Sequence, residues 1–237
     1  MSSKRLTVET KKLLGLFDDL LITADPKGDY PEYHGVHLAH ARGAWEDEPG
    51  VTDLLAGTSG NVEVFGHTWV DAIGEIDPVF ISVPNIKSIK GVFAALAKSY
   101  DEEHTVELIN DAGVLTIKEH RDTIVGDDAV ELHVPVMDAS YFPLDGAKKW
   151  LDGTAGSKAP RDADGNFAAD DNLTLWGQNL GLLLRVAKRR KAGLRMYRAH
   201  AANVHRAQIG ETWIGAIKPV IPDADTATDT PDADLYV

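Results

Sequence analysis

Between Asp77 and Pro135 the chain runs through an order of elements that two other stretches repeat, and this repetition limits the folds open to it. Val79–Val83 is a short apolar run. It is followed by Pro84, which suits the first turn of a helix because its missing N–H would have no intrahelical partner there. Apolar residues then recur at Ile86, Ile89, Val92, Phe93 and Leu96, the spacing of one helical face. Lys87, Lys90 and Lys98 fall on the other side. Thr105–Ile109, Val114–Lys118 and a stretch near Asp122–Val134 read as strands, separated by turn residues at Asn110–Gly113 and Gly126–Asp128.

The same order returns toward the C-terminus. Leu173–Trp176 is strand-like and Gln178–Lys191 helical, with Leu194–His200, Val204–Ile209 and Thr212–Lys218 alternating as strands. A looser copy opens the chain. Thr10–Thr23 sets Leu13, Leu14, Phe17, Leu20 and Leu21 on one helical face, with Lys11, Lys12, Asp18 and Asp19 outside. Tyr33–Ala41, Thr52–Gly57 and Asn61–Ala72 follow as strands, the last two joined by a Thr-Ser-Gly turn. The expected class is α+β, built from repeated β-α-β-β-β units.

Charge separates along the chain. The net charge is −13 over 237 residues, which taken whole disfavours nucleic acid. Between Asn172 and Gly210, however, there is no Asp or Glu, and eight basic residues stand there: Arg185, Lys188, Arg189, Arg190, Lys191, Arg195, Arg198 and Arg206. The remaining 16 Lys and Arg face all 37 acids, a net of −21, so one basic sector stands in an acidic protein. On the helix Gln178–Lys191, Leu180, Leu183, Leu184 and Ala187 form the apolar side, and Arg185, Lys188 and Arg189 point elsewhere. Solvated helix faces usually mix signs, so this unmixed one points to phosphate contact that is electrostatic and insensitive to sequence.

Other chemistries find little support. There is no cysteine, hence no disulfide, thiolate metal site or cysteine nucleophile. No apolar run reaches the roughly 18–20 residues of a membrane span, and no apolar stretch follows the basic residues of MSSKRLTVETKK as a secretory signal requires. The default compartment is cytoplasmic. His34, His37 and His40 suggest a metal triplet, but on a strand His37 faces away from the other two. Asp162–Asp171 resembles the start of a calcium loop, yet Phe167 and Leu173 stand where the Gly and Glu of an EF-hand belong. No phosphate loop, dinucleotide turn, nucleophile elbow or HExxH helix occurs, and no catalytic residue, metal or cofactor is assigned.

A β-α-β-β-β repeat with basic helices in an acidic chain resembles the DNA sliding clamps, both the bacterial β type and proliferating cell nuclear antigen. FISVPNIKSIKGVFAALAK looks like the strand and second helix of a clamp domain, and VELINDAGVLTIKEH like the hairpin after it. Tyr141–Phe142–Pro143 looks like the Phe-Pro that closes such a domain, and GETWIGAIKPV like the C-terminal strand of β-type clamps. The likeness covers most of residues 6–220 and is one of pattern.

The resemblance implies a DNA-clamp fold, with helices lining a ring and antiparallel sheets outside. Two units make a domain, and six domains close around duplex DNA to tether a DNA polymerase, loaded by a separate clamp loader. The expected domains are residues 1–137 and 138–221, the second abbreviated by a mobile loop at 153–171, with a disordered acidic tail at 222–237. Two domains per chain make a homotrimer the first expectation. Phosphate contacts are expected from Lys87, Lys90, Lys98, Arg185, Lys188 and Arg189, with Lys11 and Lys12 behind them. An apolar groove for partner peptides is expected near Val134, Val136, Met137, Ile217, Pro219 and Val220, and Asp234–Leu235–Tyr236 loosely resembles such a peptide. Two rival readings remain: a monomeric α+β protein whose basic patch meets an acidic protein or RNA, and an enzyme acting on an anionic substrate.

Overall fold

The first unit runs β1 (Leu6–Glu9), α1 (Thr10–Thr23), β2 (Gly35–Gly43), β3 (Thr52–Gly60) and β4 (Val64–Asp71). After the short β5 (Ile73–Gly74), the second runs β6 (Val79–Ser82), α2 (Val83–Ser99), β7 (Thr105–Asp111), β8 (Val114–His120) and β9 (Glu131–Pro135). Then come β10 (Met137–Asp138), α3 (Leu144–Leu151), α4 (Gly177–Arg190), β11 (Leu194–Arg198), β12 (His205–Ile209) and β13 (Trp213–Ile217). These elements belong to a computed structural model that describes residues 4–43, 51–99, 104–120, 129–152, 175–198 and 204–219.

The first two units are interlocked by exchanging their opening strands. β1 pairs antiparallel with β7 of the second unit, and β6 pairs antiparallel with β2 of the first. The result is a five-stranded sheet, β5-β1-β7-β8-β9, and an eight-stranded one, β10-β6-β2-β3-β4-β13-β12-β11. The larger sheet crosses from the first unit into the third through the antiparallel β4–β13 pair, Val64↔Ile217 to Thr68↔Trp213.

Side-chain alternation along the strands then separates two faces. One carries Val36, Leu38, Val79 and Ile81 into a core with Leu13, Leu16, Phe17 and Leu20 of α1 and Ile86, Ile89 and Phe93 of α2. The same face of β4 and β13 supplies Val64, Trp213 and Ile217 to a second core beneath Leu183, Val186 and Ala187 of α4. Close approach is built in: a Cβ at Gly66 would lie 2.7 Å from Thr23 Oγ1, so only glycine leaves room for the end of α1 over β4.

The opposite face is crossed by one row of paired residues: Met137, Phe80, His37, Thr58, His67, Ile214, Gln208 and Arg195. The segment after β10 covers the middle of this row. Phe142 is buried among Tyr33, His37 and Phe80, and Trp150 of α3 packs on Phe65. His37 and His67 therefore sit beneath a lid of aromatic rings and Lys148 of α3. Burial holds His67 down to about 4, helped by the nearby charges of His37 and Lys148, and burial lowers His37 as well.

Several sequence expectations are corrected in detail. Thr58, Ser59 and Gly60 belong to β3, and the turn lies at Asn61, whose Oδ1 accepts from the N–H groups of Glu63 and Val64 at 2.8 Å each. Side-chain capping by Asn competes with the ladder and ends the strand there. α3 starts two residues earlier than Gly146, at Leu144. Leu175 and Trp176 are not strand; Trp176, extended at φ −61° and ψ 124°, leads into α4. His34 precedes β2 rather than lying in it, its Nδ1 2.7 Å from the carbonyl of Asp25. The loop at 153–171 and the tail from 222 lie outside the described residues. Among the described residues no helix is long and apolar enough to cross a membrane.

α1 lies between α2 and α4 and contacts both. Its Asp19 is 1% exposed and accepts from Arg189 Nε at 2.6 Å and from Arg190 Nε at 2.8 Å. Arg190 also donates to Thr212 Oγ1 (2.9 Å) and Thr68 Oγ1 (2.6 Å), which ties α4 to β4 and to the β12–β13 turn. Removing one member of a buried ion cluster leaves the others uncompensated. Asp19→Ala is expected to cost about 3 kcal/mol, at the low end for such losses because Arg189 reaches solvent. Urea unfolding measures it.

A second prediction concerns pH. The folded state holds His67 neutral to about 4, whereas an unfolded histidine takes its proton near 6.5. Between those values the unfolded chain binds more protons, so stability is full above about pH 6.5 and falls as pH drops toward 4. The loss attributable to His67 is about 3 kcal/mol. Thermal midpoints measured from pH 7 to pH 4.5 should fall, and His67→Gln should remove much of the slope.

Candidate nucleic-acid interface

Three helices stand on one side of the two sheets in the order α2, α1, α4. Because each buries one stripe against the strands, its other side faces away from the sheets. On α2 that side carries Lys87 and Lys98, eleven residues and about three turns apart. On α1 it carries Lys11, and on α4 Arg185 and Lys188, near the C-terminal end where helix dipoles favour cations. All five side chains are exposed and make no ion pair among the described residues.

The other three expected phosphate contacts are engaged elsewhere. Lys90 reaches across to Asp18 of α1 in a short ion pair. Arg189 binds Asp19, and its Nη2 also donates to the carbonyl of Gly15 at 2.9 Å. Lys12 lies 3.1 Å from Asp71 and 3.6 Å from Glu9. Helical spacing assigns a side chain to a side of its own helix but says nothing of what the next helix carries. The acids Asp18 and Asp19 look like a flaw in a cationic face. In the structure they are consumed by Lys90, Arg189 and Arg190, so the cations that stay unpaired belong to a surface with less local negative charge than the sequence suggests. Arg190, central to this arrangement, is not among the expected phosphate contacts; its signal is the run of four cations Lys188–Lys191, which the fold sets beside the Asp18–Asp19 pair of α1.

The expected peptide groove is not assembled as one feature. Val134 is buried in the core of the five-stranded sheet, with Val136 packed against it. Ile217 lies under α4 in the second core. Met137 on β10 is separated from β13 by four intervening strands. At about 4.8 Å between strands that is about 24 Å. Pro219 ends the described chain, and Val220 lies outside it. The apolar feature on the face away from the helices is instead the aromatic cluster of Tyr33, Phe65, Phe80, Phe142 and Trp150, beside an open cavity of about 510 Å³ lined by His37, Pro78, Phe142, Pro143 and Leu144. Alternation identifies which residues are buried, not which sheet or face buries them.

No protein-family model and no curated protein matches the chain. Solved structures do. The β sliding clamp of C. crescentus superposes with a TM-score of 0.61 at 12% identity, over 94% of this chain and 66% of that one. The DNA polymerase III β subunit of Pseudomonas aeruginosa gives 0.59 at 12%, over 92% and 65%. A putative DNA polymerase III β subunit from Eubacterium rectale gives 0.60 at 7%, over 98% and 68%. The chain thus spans about two thirds of the length of these proteins. Nearly the whole of it superposes on them, and the chain has the sliding-clamp fold.

Proposed function

We propose that the chain is a DNA sliding clamp: a non-enzymatic ring of several copies that encircles duplex DNA and holds a polymerase on it. The observation that carries this reading is the helix layer with Lys11, Lys87, Lys98, Arg185 and Lys188 unpaired on its outward side, in a protein of net charge −13. Cations spread over three helices and lacking base-reading side chains suit loose, movable contact with phosphates. An acidic remainder discourages DNA from settling elsewhere on the molecule. The similarity to bacterial β clamps supports the same reading at the level of fold. Polymerase and a separate loader are the partners it implies, in the cytoplasm, with no cofactor. Lys90, Lys12 and Arg189 support the surface from behind, through Asp18, Asp71 and Asp19.

The domains proposed are 1–137, which holds two interlocked units, and 138–221, in which one unit is described. A trimer requires four units per chain for a ring of six domains. The three units among the described residues would instead call for four copies.

The test is retention on nicked circular duplex DNA after loading, against the same DNA linearised. Retention at high salt that is lost on linearisation is expected for a topological link. Arg185→Glu with Lys188→Glu should abolish retention without changing thermal stability, since neither side chain has a partner among the described residues. Weak binding to open DNA should lose about 0.9 of salt slope per phosphate contact removed. Equal retention by the double variant would refute the assignment of this face.

A further inference from the structure

The chain contains its own template for a contact that the third unit lacks among the described residues. In the first two units the strand entering the helix is four residues long and the helix follows at once, at Thr10 and at Val83. Thr10, Val83 and Gly177 are therefore equivalent starts. Leu13 of α1 corresponds to Ile86 of α2 and Leu180 of α4, Leu16 to Ile89 and Leu183, and Phe17 to Lys90 and Leu184. Burial supports this alignment, because Leu16, Asp19 and Leu20 of α1 are buried, as are Leu183, Val186 and Ala187 of α4.

At two positions the correspondence fails. Leu13 and Phe17 are 0% and 1% exposed, closed over by the shared core with the second unit. Their counterparts are not closed over: Leu180 is half-buried and Leu184 is 51% exposed, one turn apart and in line with Trp176 at 54%. The sheet repeats the pattern. β2 and β7, the strands that follow α1 and α2, are each paired by the sister unit's opening strand. The equivalent strand, β11, is the edge of the eight-stranded sheet among the described residues.

We infer that this face of α4 and the β11 edge bind the same face of a second copy of the chain, two third units completing one domain as the first two units do within the chain. A second copy supplies the missing helix, with Trp176 at its start. The centre of the contact can be located. Lys90 of α2 pairs with Asp18 of α1, so the two helices cross where the positions equivalent to Leu184 and Arg185 meet. By that register Leu184 of each copy meets Arg185 of the other beside a two-fold axis, which brings the two Leu184 side chains close together. Arg185 and Lys188 of the two copies repel one another beside that axis, and salt screens this repulsion. An apolar contact opposed by like charges should hold or tighten as salt rises, whereas one made by opposite charges should weaken.

The contact is argued from the internal repeat and is tested without DNA, so it stands or falls apart from the clamp reading. Light scattering of the purified chain over a dilution series, at low and high salt, reads its assembly. Leu184→Glu is expected to lower the mass at a given concentration and raise the dissociation constant about 100-fold, because symmetry applies each lost side chain twice. An unchanged circular dichroism spectrum and melting point show that the variant folds. The chain has no cysteine, so a single one reports on position. Leu184→Cys should give a covalent dimer under mild oxidation, and Ile73→Cys, at a site 76% exposed, should not. A wild type that is monomeric throughout, an assembly that Leu184→Glu leaves intact, or no excess of cross-linking at Cys over the Ile73→Cys control would each overturn the inference.

Discussion

Asp19 is the constraint on which the helix layer rests. It is a carboxylate inside a packed interface, and it is tolerable there because two guanidinium groups from one turn of α4 close on it. Arg190 spends its remaining donors on Thr68 and Thr212, so a single cluster fixes α1, α4, β4 and the β12–β13 turn relative to one another. A purely apolar seam between α1 and α4 could settle in several rotations. Directional hydrogen bonds to one carboxylate admit few, and this gives the polar cluster a role in specifying the arrangement beyond its modest net stabilisation. The same cluster decides which cations face outward: the ones needed inside are bound inside.

The exchange of opening strands between the first two units has a comparable reach. Because β1 belongs to the sheet of the second unit and β6 to that of the first, neither unit has a finished sheet or a covered helix alone. Leu13 and Phe17 are buried in a core to which both units contribute. The third unit joins the first through β4 and β13, the closing strands, and among the described residues its helix flank and β11 have no equivalent of that sister. Leu184 is exposed on that flank.

Much of this was legible in residue order. The apolar spacing of Leu13, Leu16, Phe17 and Leu20 specifies the buried stripe of α1, and the repeat of strand, helix and three strands specifies the fold, since few architectures repeat that unit. Lys11, Lys87, Lys98, Arg185 and Lys188 could be placed on the outward side from periodicity alone. What periodicity lacks is the neighbour. Lys90 and Arg189 have the same spacing as the exposed cations, yet Asp18 and Asp19 capture them because the helices cross there. Val134 and Ile217 are both buried, as alternation requires, but strand order puts them in different sheets and different cores. Strand order is set by which edges close against which, and that is a property of the assembled units.

The two faces of the large sheet set different electrostatic conditions. Beneath α3, burial and the nearby charge of Lys148 disfavour protonation of His37 and His67, and the aromatic rings around Phe142 cover that face. On the helix side the fold does the reverse, neutralising its own acids in pairs and leaving five cations in water. Surface charges separated by more than about 8 Å are largely screened at physiological salt, so cations spread over three helices act on a ligand as separate weak contacts. A polyanion held this way is attracted at many points and fixed at none. That is the condition the proposed enclosure of duplex DNA would ask of this face.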